Sequence, residues 1–254
     1  LMAVPFFILA GDIMRFGGVS NRLINFTKAL LGQSKSTLGN ITVLTSAFFG
    51  AISGSAAATV AAIGGIMIPE MARNGYNKNY AVSLASAAGY LGILIPPSIP
   101  LVIYGISSGQ SIGKLFLAGI GPGILATVGF ILLNMFLIDK NFDETCVTPT
   151  TSREEVSLAS TFFEAILGLL MPVIILGGIY AGIFTATEAA AVAILYGLAI
   201  SLFVYRDITL KDIIPIATSS AITSATILII IALAGFFGRL MTLLQIPAQI
   251  AELF

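Results

Sequence analysis

The stretch Phe49-Gly50-Ala51-Ile52-Ser53-Gly54-Ser55-Ala56-Ala57-Ala58-Thr59 decides how this chain is organised. It lies inside an apolar run, residues 41–69, that contains no Asp, Glu, Lys or Arg. A helix crossing a bilayer needs about 20 apolar residues, and this run is longer than that. Its middle is a break: glycine takes the left-handed conformation that ends a helix, and the alanines after Ser55 allow a new one to start. The run can therefore cross once, with its small residues as a helix-packing face. Alternatively it enters and leaves by one side, its tip inside the bilayer. Backbone groups freed at such a tip must face protein, water or a bound ion, because lipid cannot pair them.

Charge placement separates the two topologies. The other apolar runs are residues 1–14, 80–109, 115–138, 162–184, 186–205 and 213–237. If residues 41–69 cross, Arg15, Arg22, Lys28, Lys35, Lys114 and Arg239 fall on one side and Arg73, Lys78, Lys140, Arg153, Arg206 and Lys211 on the other. That division carries no orientation signal. If residues 41–69 turn back, only Lys114 and Arg239 lie opposite all the rest. Cytoplasmic loops concentrate Lys and Arg. The sequence therefore predicts a re-entrant hairpin, with Lys35 and Arg73 on one cytoplasmic face.

Composition agrees with a membrane protein. Of 254 residues, 57% are hydrophobic and 9% charged, against about 25% charged in soluble domains. Lipid must be the solvent for most of the surface. The formal net charge is zero, which implies no basic surface for nucleic acid. Histidine is absent, which excludes His triads, His metal sites and His proton relays. The single Cys146 can form neither an internal disulfide nor a thiolate metal site. An intramembrane protease is disfavoured too, since no base stands near Ser53 and no membrane Asp pair is evident. Asp12 and Glu188 sit near predicted helix ends and read as an interface residue and a cap, with a coupling role as the alternative.

A second interruption follows in Ile95-Pro96-Pro97-Ser98-Ile99-Pro100. Each proline lacks an N–H and leaves the carbonyl four residues earlier without a partner. The helix over residues 80–109 must break there. A hairpin tip and a broken helix at mid-depth are the parts of a secondary transporter's binding site, where unwound carbonyls hold a cation and half-helix N-termini face an anion. With oxygens alone on offer, Na⁺ suits the site better than a transition metal. Further along, Thr185-Ala186-Thr187-Glu188 has capping-box spacing and predicts a helix start after a tight turn.

These motifs carry a family resemblance. Phe49 to Ala56, Ile68-Pro69-Glu70-Met71, Ile95 to Pro100 with Tyr104-Gly105, Pro172 to Gly178, Thr187-Glu188-Ala189-Ala190 and the opening Pro5 to Gly11 resemble the large membrane subunit of tripartite ATP-independent periplasmic (TRAP) transporters. The resemblance covers essentially the whole chain, although Ala186 stands where the family usually has proline. It implies an elevator-type, Na⁺-coupled importer of an organic acid such as sialic acid or a dicarboxylate, in a bacterial inner membrane. A small membrane (Q-type) subunit and a soluble periplasmic substrate-binding protein are the implied partners. The implied Na⁺ positions are Ser53, Gly54 and Ser55, with Gly92, Ile95 and Pro97 opposite. Ser55, Thr59, Pro96 and Ser98 are the expected substrate contacts.

The expected fold is thus an all-α, multi-spanning membrane protein belonging to an inverted-repeat fold. Residues 1–40 read as a helix end and, over 15–40 with Arg15, Arg22, Lys28 and Lys35 among apolar residues, an interfacial amphipathic arm. Residues 41–138 form the transport region, with the hairpin over 41–73 and the broken helix over 80–109. Residues 139–161 read as a cytoplasmic loop and 162–237 as transmembrane helices. Leu9-Ala10-Gly11 recurs as Leu233-Ala234-Gly235, so residues 238–254 read as the start of a second repeat whose own hairpin lies beyond residue 254. The rival functions are an ion channel, for which no filter or charged ring is evident, and a Na⁺-coupled transporter working without a binding protein.

Overall fold

The computed structural model describes residues 1–31, 34–142, 158–246 and 249, and these are helical nearly throughout. Helix α1 (Ala3–Phe16) meets α2 (Val19–Leu30) at 65°. The corner is Gly17-Gly18, where Gly18 has φ +74°. α2 is the amphipathic arm: Val19, Leu23, Ile24 and Phe26 are buried, while Asn21, Asn25 and Lys28 are exposed. Arg15, expected in the arm, belongs to the last turn of α1.

Helix α3 (Thr37–Ser53) stops at Gly54, whose φ of +62° is the left-handed cap the sequence suggested. Ser55 is extended, and its hydroxyl accepts from Ala58 N to start α4 (Ala56–Thr59). The chain returns through a π-helical stretch, Val60–Gly64, into α5 (Gly65–Arg73). α3 has only 17 residues, short for a crossing. The two ends of the hairpin lie together. Tyr76, just after α5, donates to Lys35 O at 2.5 Å and accepts from Gly39 N at 3.1 Å. Burial pushes the Tyr76 phenol up to about 12, so it remains a donor at physiological pH.

The next segment is α6 (Lys78–Gly89) and α7 (Leu91–Leu94), a break at residues 95–98, and α8 (Ile99–Ser108), with a 42° bend across the break. α9 (Ile112–Leu137) runs beside it. A Cβ on Gly119 would lie 2.9 Å from Leu94 O, and one on Gly123 would lie 2.7 Å from the Ile95 side chain. Both glycines thus let α9 approach the break closely. At its other end Asn134 is fully buried and donates to Ser36 O (2.9 Å) and Asn40 Oδ1 (2.8 Å), while accepting from Tyr80 (3.0 Å). A buried amide with its bonds made fixes the register of the packed helices, since leaving its partners unpaired is costly.

α10 (Leu158–Tyr180) and α11 (Ala186–Ala199, continued by a π turn to Val204) form a tight antiparallel pair. The capping box at the start of α11 is complete: Glu188 N donates to Thr185 Oγ1 and Thr185 N to Glu188. α12 (Leu210–Leu243) is a single long helix, capped by Thr209 and Asp212. Arg239 and the Leu233-Ala234-Gly235 echo fall inside it, and the helix continues to Leu243. Among the described residues four helices are long and apolar enough to cross a membrane, or up to six if each bent pair is one span. Cys146 and most of the expected loop at 139–161 lie outside the described residues, as do most residues beyond 246.

Candidate functional site at the hairpin tip

The hairpin tip and the helix break interlock. Gly54 O accepts from Ile99 N at 3.1 Å, so the first amide of α8 is satisfied by the tip. A Cβ on Gly54 would sit 2.8 Å from Pro97 O; one on Gly92 would sit 2.4 Å from Thr59 Oγ1 and 2.7 Å from Ser55 O. One level down, a Cβ on Gly50 would strike Gly92 Cα at 2.6 Å. Side-chain-free positions on both elements therefore bring backbone against backbone, as a site built from main-chain oxygens requires.

Polar groups concentrate at this contact. Thr59 Oγ1 donates to Ser55 O (2.8 Å) and lies 3.2 Å from Ser53 Oγ, which also reaches Ser55 O at 3.4 Å. Ser98 Oγ donates to Ile93 O at 2.5 Å, supplying the bond that Pro97 cannot make. Pro96 likewise withholds the N–H that would have met Gly92 O, while Pro100 stands in the first turn of α8, where proline costs no intrahelical bond. Ser53, Thr59 and Ser98 are each 2% exposed or less. The Pro96–Pro97 peptide is cis. Ser53, Gly54, Ser55, Thr59, Gly92, Pro97 and Ser98 thus come together, while Ile95 and Pro96 point the break toward α9. Among the described residues no cluster of His, Cys, Asp or Glu could hold a metal ion. The oxygens at the tip are hydroxyls and carbonyls, a neutral hard-donor set that fits an alkali cation and not a transition metal.

In front of the tip lies a cavity of about 330 Å³. Ser53, Ser55, Ala57, Ala58 and Ala61 form its hairpin wall, and Ser219, Thr223 and Ile227 of α12 the opposite wall. α1 closes it with Gly11, Asp12 and Arg15. Gly11 seats directly on the tip: its Cβ would lie 3.0 Å from Ser53 Cα and O. Asp12 accepts from Ser220 at 2.6 Å and lies 3.5 Å from Arg15 Nη2. Of the expected substrate contacts, Ser55 lines this cavity, whereas Thr59, Pro96 and Ser98 are packed behind it.

Sequence reading placed Asp12 at an interface and Arg15 in the arm, and passed over the α12 hydroxyls. Signals for both existed. Asp12 and Arg15 are three residues apart, on one face of an apolar helix. Thr218-Ser219-Ser220 and Thr223-Ser224 form a polar stripe within the apolar run at 213–237.

Broken apolar helices, a closed helical hairpin and a polar tip meeting an unwound segment define a multi-pass membrane permease. Residues 1–254 match the family described as tripartite ATP-independent periplasmic transporter, DctM component. The chain belongs to that family of TRAP transporter large permeases, which are transport proteins and not enzymes. It is 45% identical over 252 residues to the C4-dicarboxylate TRAP transporter large permease protein DctM of Pseudomonas aeruginosa, covering 99% of this chain and 58% of that protein. To the sialic acid TRAP transporter large permease protein SiaM of Vibrio cholerae it is 39% identical over 254 residues, 100% of this chain and 58% of that one. To the isethionate TRAP transporter permease protein DctMQ of Oleidesulfovibrio alaskensis it is 42% identical over 252 residues, 99% of this chain and 39% of the relative. The chain therefore spans between 39% and 58% of the length of these relatives.

Proposed function

We propose that this chain forms the cation-coupled half-site of an importer for a small organic acid, working with a small membrane subunit and a periplasmic binding protein in a bacterial inner membrane. The observation that carries the proposal is the interlock of Gly54, Ser55 and Thr59 with Gly92, Pro97 and Ile99. Na⁺ is the coupling ion that suits it, held by Ser53, Gly54 and Ser55 on the tip and by carbonyls of the break around Gly92, Ile95 and Pro97. When bound there, Na⁺ supplies positive charge that draws the break against the tip. The protein's own part is to exclude water from that contact and to present the cavity on its far side to the substrate.

The hairpin is re-entrant in this reading, with residues 41–73 entering and leaving on the cytoplasmic side and the tip at mid-depth. The family membership and the relatives named for dicarboxylate, sialic acid and isethionate transport support an acid substrate. Elevator motion and an inverted second repeat follow from the same reading. The test is uptake by proteoliposomes holding the full-length complex and its binding protein, with succinate, N-acetylneuraminate and isethionate offered with and without a Na⁺ gradient. Uptake that saturates, requires Na⁺ and requires the binding protein is expected. Na⁺-independent uptake of every acid overturns the coupling assignment.

A further inference from the structure

We infer that Arg15 is the residue that seats the acid group of the transported molecule in the tip cavity, and that Asp12 and Ser220 hold it in position. The inference rests on the transport reading above, and it adds a specificity-determining residue and the group that residue recognises. A guanidinium carries five N–H donors. Among the described residues, none from Arg15 makes a hydrogen bond: its Nε is buried without a partner, and Nη2 reaches Asp12 Oδ1 only at ion-pair distance, 3.5 Å. The Arg15 guanidinium lies 4.3 Å over the Phe16 ring, a contact made by its face and not by its N–H groups. Two cations of α2 use their donors within the protein. Arg22 bonds Gly18 O and Asp207 and lies over the Tyr205 ring, and Lys28 bonds Glu70 at 2.6 Å. Arg15 alone among the lining residues carries a positive charge.

The surroundings select an oxyanion. Ser53 and Ser55 line the same cavity as Arg15 from the tip, and Ser219 and Thr223 from α12. Ser53 and Thr223 donate to Ser55 O and Ser219 O, whereas Ser55 Oγ accepts from Ala58 N and its O–H can turn to a carboxylate or sulfonate oxygen. A guanidinium fork binds either group through two parallel bonds. Asp12 does not cancel this. Its Oδ2 accepts from Ser220 at 2.6 Å while its Oδ1 faces Arg15, so it anchors one edge of the guanidinium and leaves the remaining donors for a ligand. The cavity volume of about 330 Å³ lies at the lower end for small-molecule sites. Ser53 and Ser55 line the cavity while Gly54 meets the break, so anion and cation approach the tip from two directions.

The test uses the full-length complex in a cysteine-free background carrying Thr223→Cys. Labelling by a sulfonate-bearing thiosulfonate should exceed labelling by a trimethylammonium one by about tenfold, and Arg15→Gln should abolish or reverse that preference because Asp12 remains. Succinate, N-acetylneuraminate or isethionate, whichever the complex carries, should slow labelling with Arg15 and fail to do so with Arg15→Gln. Arg15→Lys keeps the charge without the fork and should retain the reagent preference while losing most of the protection. Uptake is measured in parallel without the reporter cysteine. There Arg15→Gln should lower the rate by about tenfold or more with Na⁺ half-saturation unchanged within about twofold. An unchanged reagent ratio in Arg15→Gln, or protection that survives it, overturns the role of Arg15 and leaves the transport reading standing if wild-type uptake is Na⁺-driven. Absence of wild-type uptake overturns the transport reading, while the labelling ratio still reports what Arg15 presents to the cavity.

Discussion

Replacing Gly92 by alanine adds one methyl group where the tip meets the break. The residue is helical, within α7, so no backbone strain arises, and helix propensity favours alanine by about 1 kcal/mol. The new Cβ would stand 2.4 Å from Thr59 Oγ1, 2.7 Å from Ser55 O and 3.1 Å from Ser55 C. Two of those atoms are backbone, and the hydroxyl is held by its bond to Ser55 O at 2.8 Å. Ordinary contact thus demands that the tip withdraw by several tenths of an ångström. Overpacking of this kind costs about 1–3 kcal/mol, and loss of the Thr59 bond adds about 1 kcal/mol. Set against the propensity gain, about 2 kcal/mol remains opposing the closed contact, which corresponds to roughly 30-fold in an equilibrium. The assay is Na⁺ half-saturation of uptake in proteoliposomes, with Gly65→Ala as control, since nothing lies within 4 Å of a Cβ there. Gly92→Ala should raise the half-saturating Na⁺ concentration at least tenfold, or stop uptake, while Gly65→Ala behaves as wild type. A Gly92→Ala complex with unaltered Na⁺ response and rate would show that the tip–break contact is packing alone.

Gly54→Ala combines a left-handed backbone, φ +62°, worth about 1–2 kcal/mol of strain, with a 2.8 Å approach to Pro97 O; Na⁺-dependent uptake should fall further than in Gly92→Ala, and full activity would refute the assignment. Tyr76→Phe strips partners from Lys35 O and Gly39 N and should lower unfolding stability by about 1–3 kcal/mol, measured as the thermal midpoint of the purified complex. Because the folded phenol titrates at about 12 instead of 10.0, its contribution is complete below pH 10 and declines as the pH rises toward 12; the Tyr76→Phe protein should not show that decline. Cysteines placed singly at positions 35 and 73 should react with an impermeant reagent from the same side of the membrane, and opposite accessibility would sink the re-entrant topology.

The sequence made the broken elements legible because glycine and proline act locally. Gly54 ends α3 where expected, the prolines of 96–100 break the helix, and Thr185 with Glu188 caps α11. Lys and Arg placement predicted a re-entrant hairpin with Lys35 and Arg73 on one cytoplasmic face; the Tyr76 bonds join the two ends of the helical hairpin, and cysteine labelling reads the membrane side they occupy. The cavity was not legible in the same way. Arg15 shares a cavity with Ser219 and Thr223 only because α12 packs against α1, an approach across roughly 200 residues that no local pattern encodes. Asp12 and Ser220, hydrogen-bonded here, are separated by 208 positions. Long-range pairing of polar groups in membrane helices leaves only the weak trace of each partner standing in an apolar run.

The π-helical stretch at Val60–Gly64 has a consequence for how this hairpin tolerates change. A π turn holds one residue more than the α-helix around it, so it marks a place where chain length can be altered without disturbing hydrogen bonding at either end. Deleting one residue from 60–64 would let the turn close as regular α-helix while the residues after it keep their faces. Met67 and Met71, both fully buried, would stay inside, and Glu70 would keep Lys28. The extra residue is absorbed within the widened turn, so the outgoing arm of the hairpin holds its phase to the tip with or without it. A relative lacking it needs no compensating insertion before Tyr76 to keep that hydroxyl on Lys35 O. A one-residue gap in this short window should consequently stand alone, with no partner gap further along.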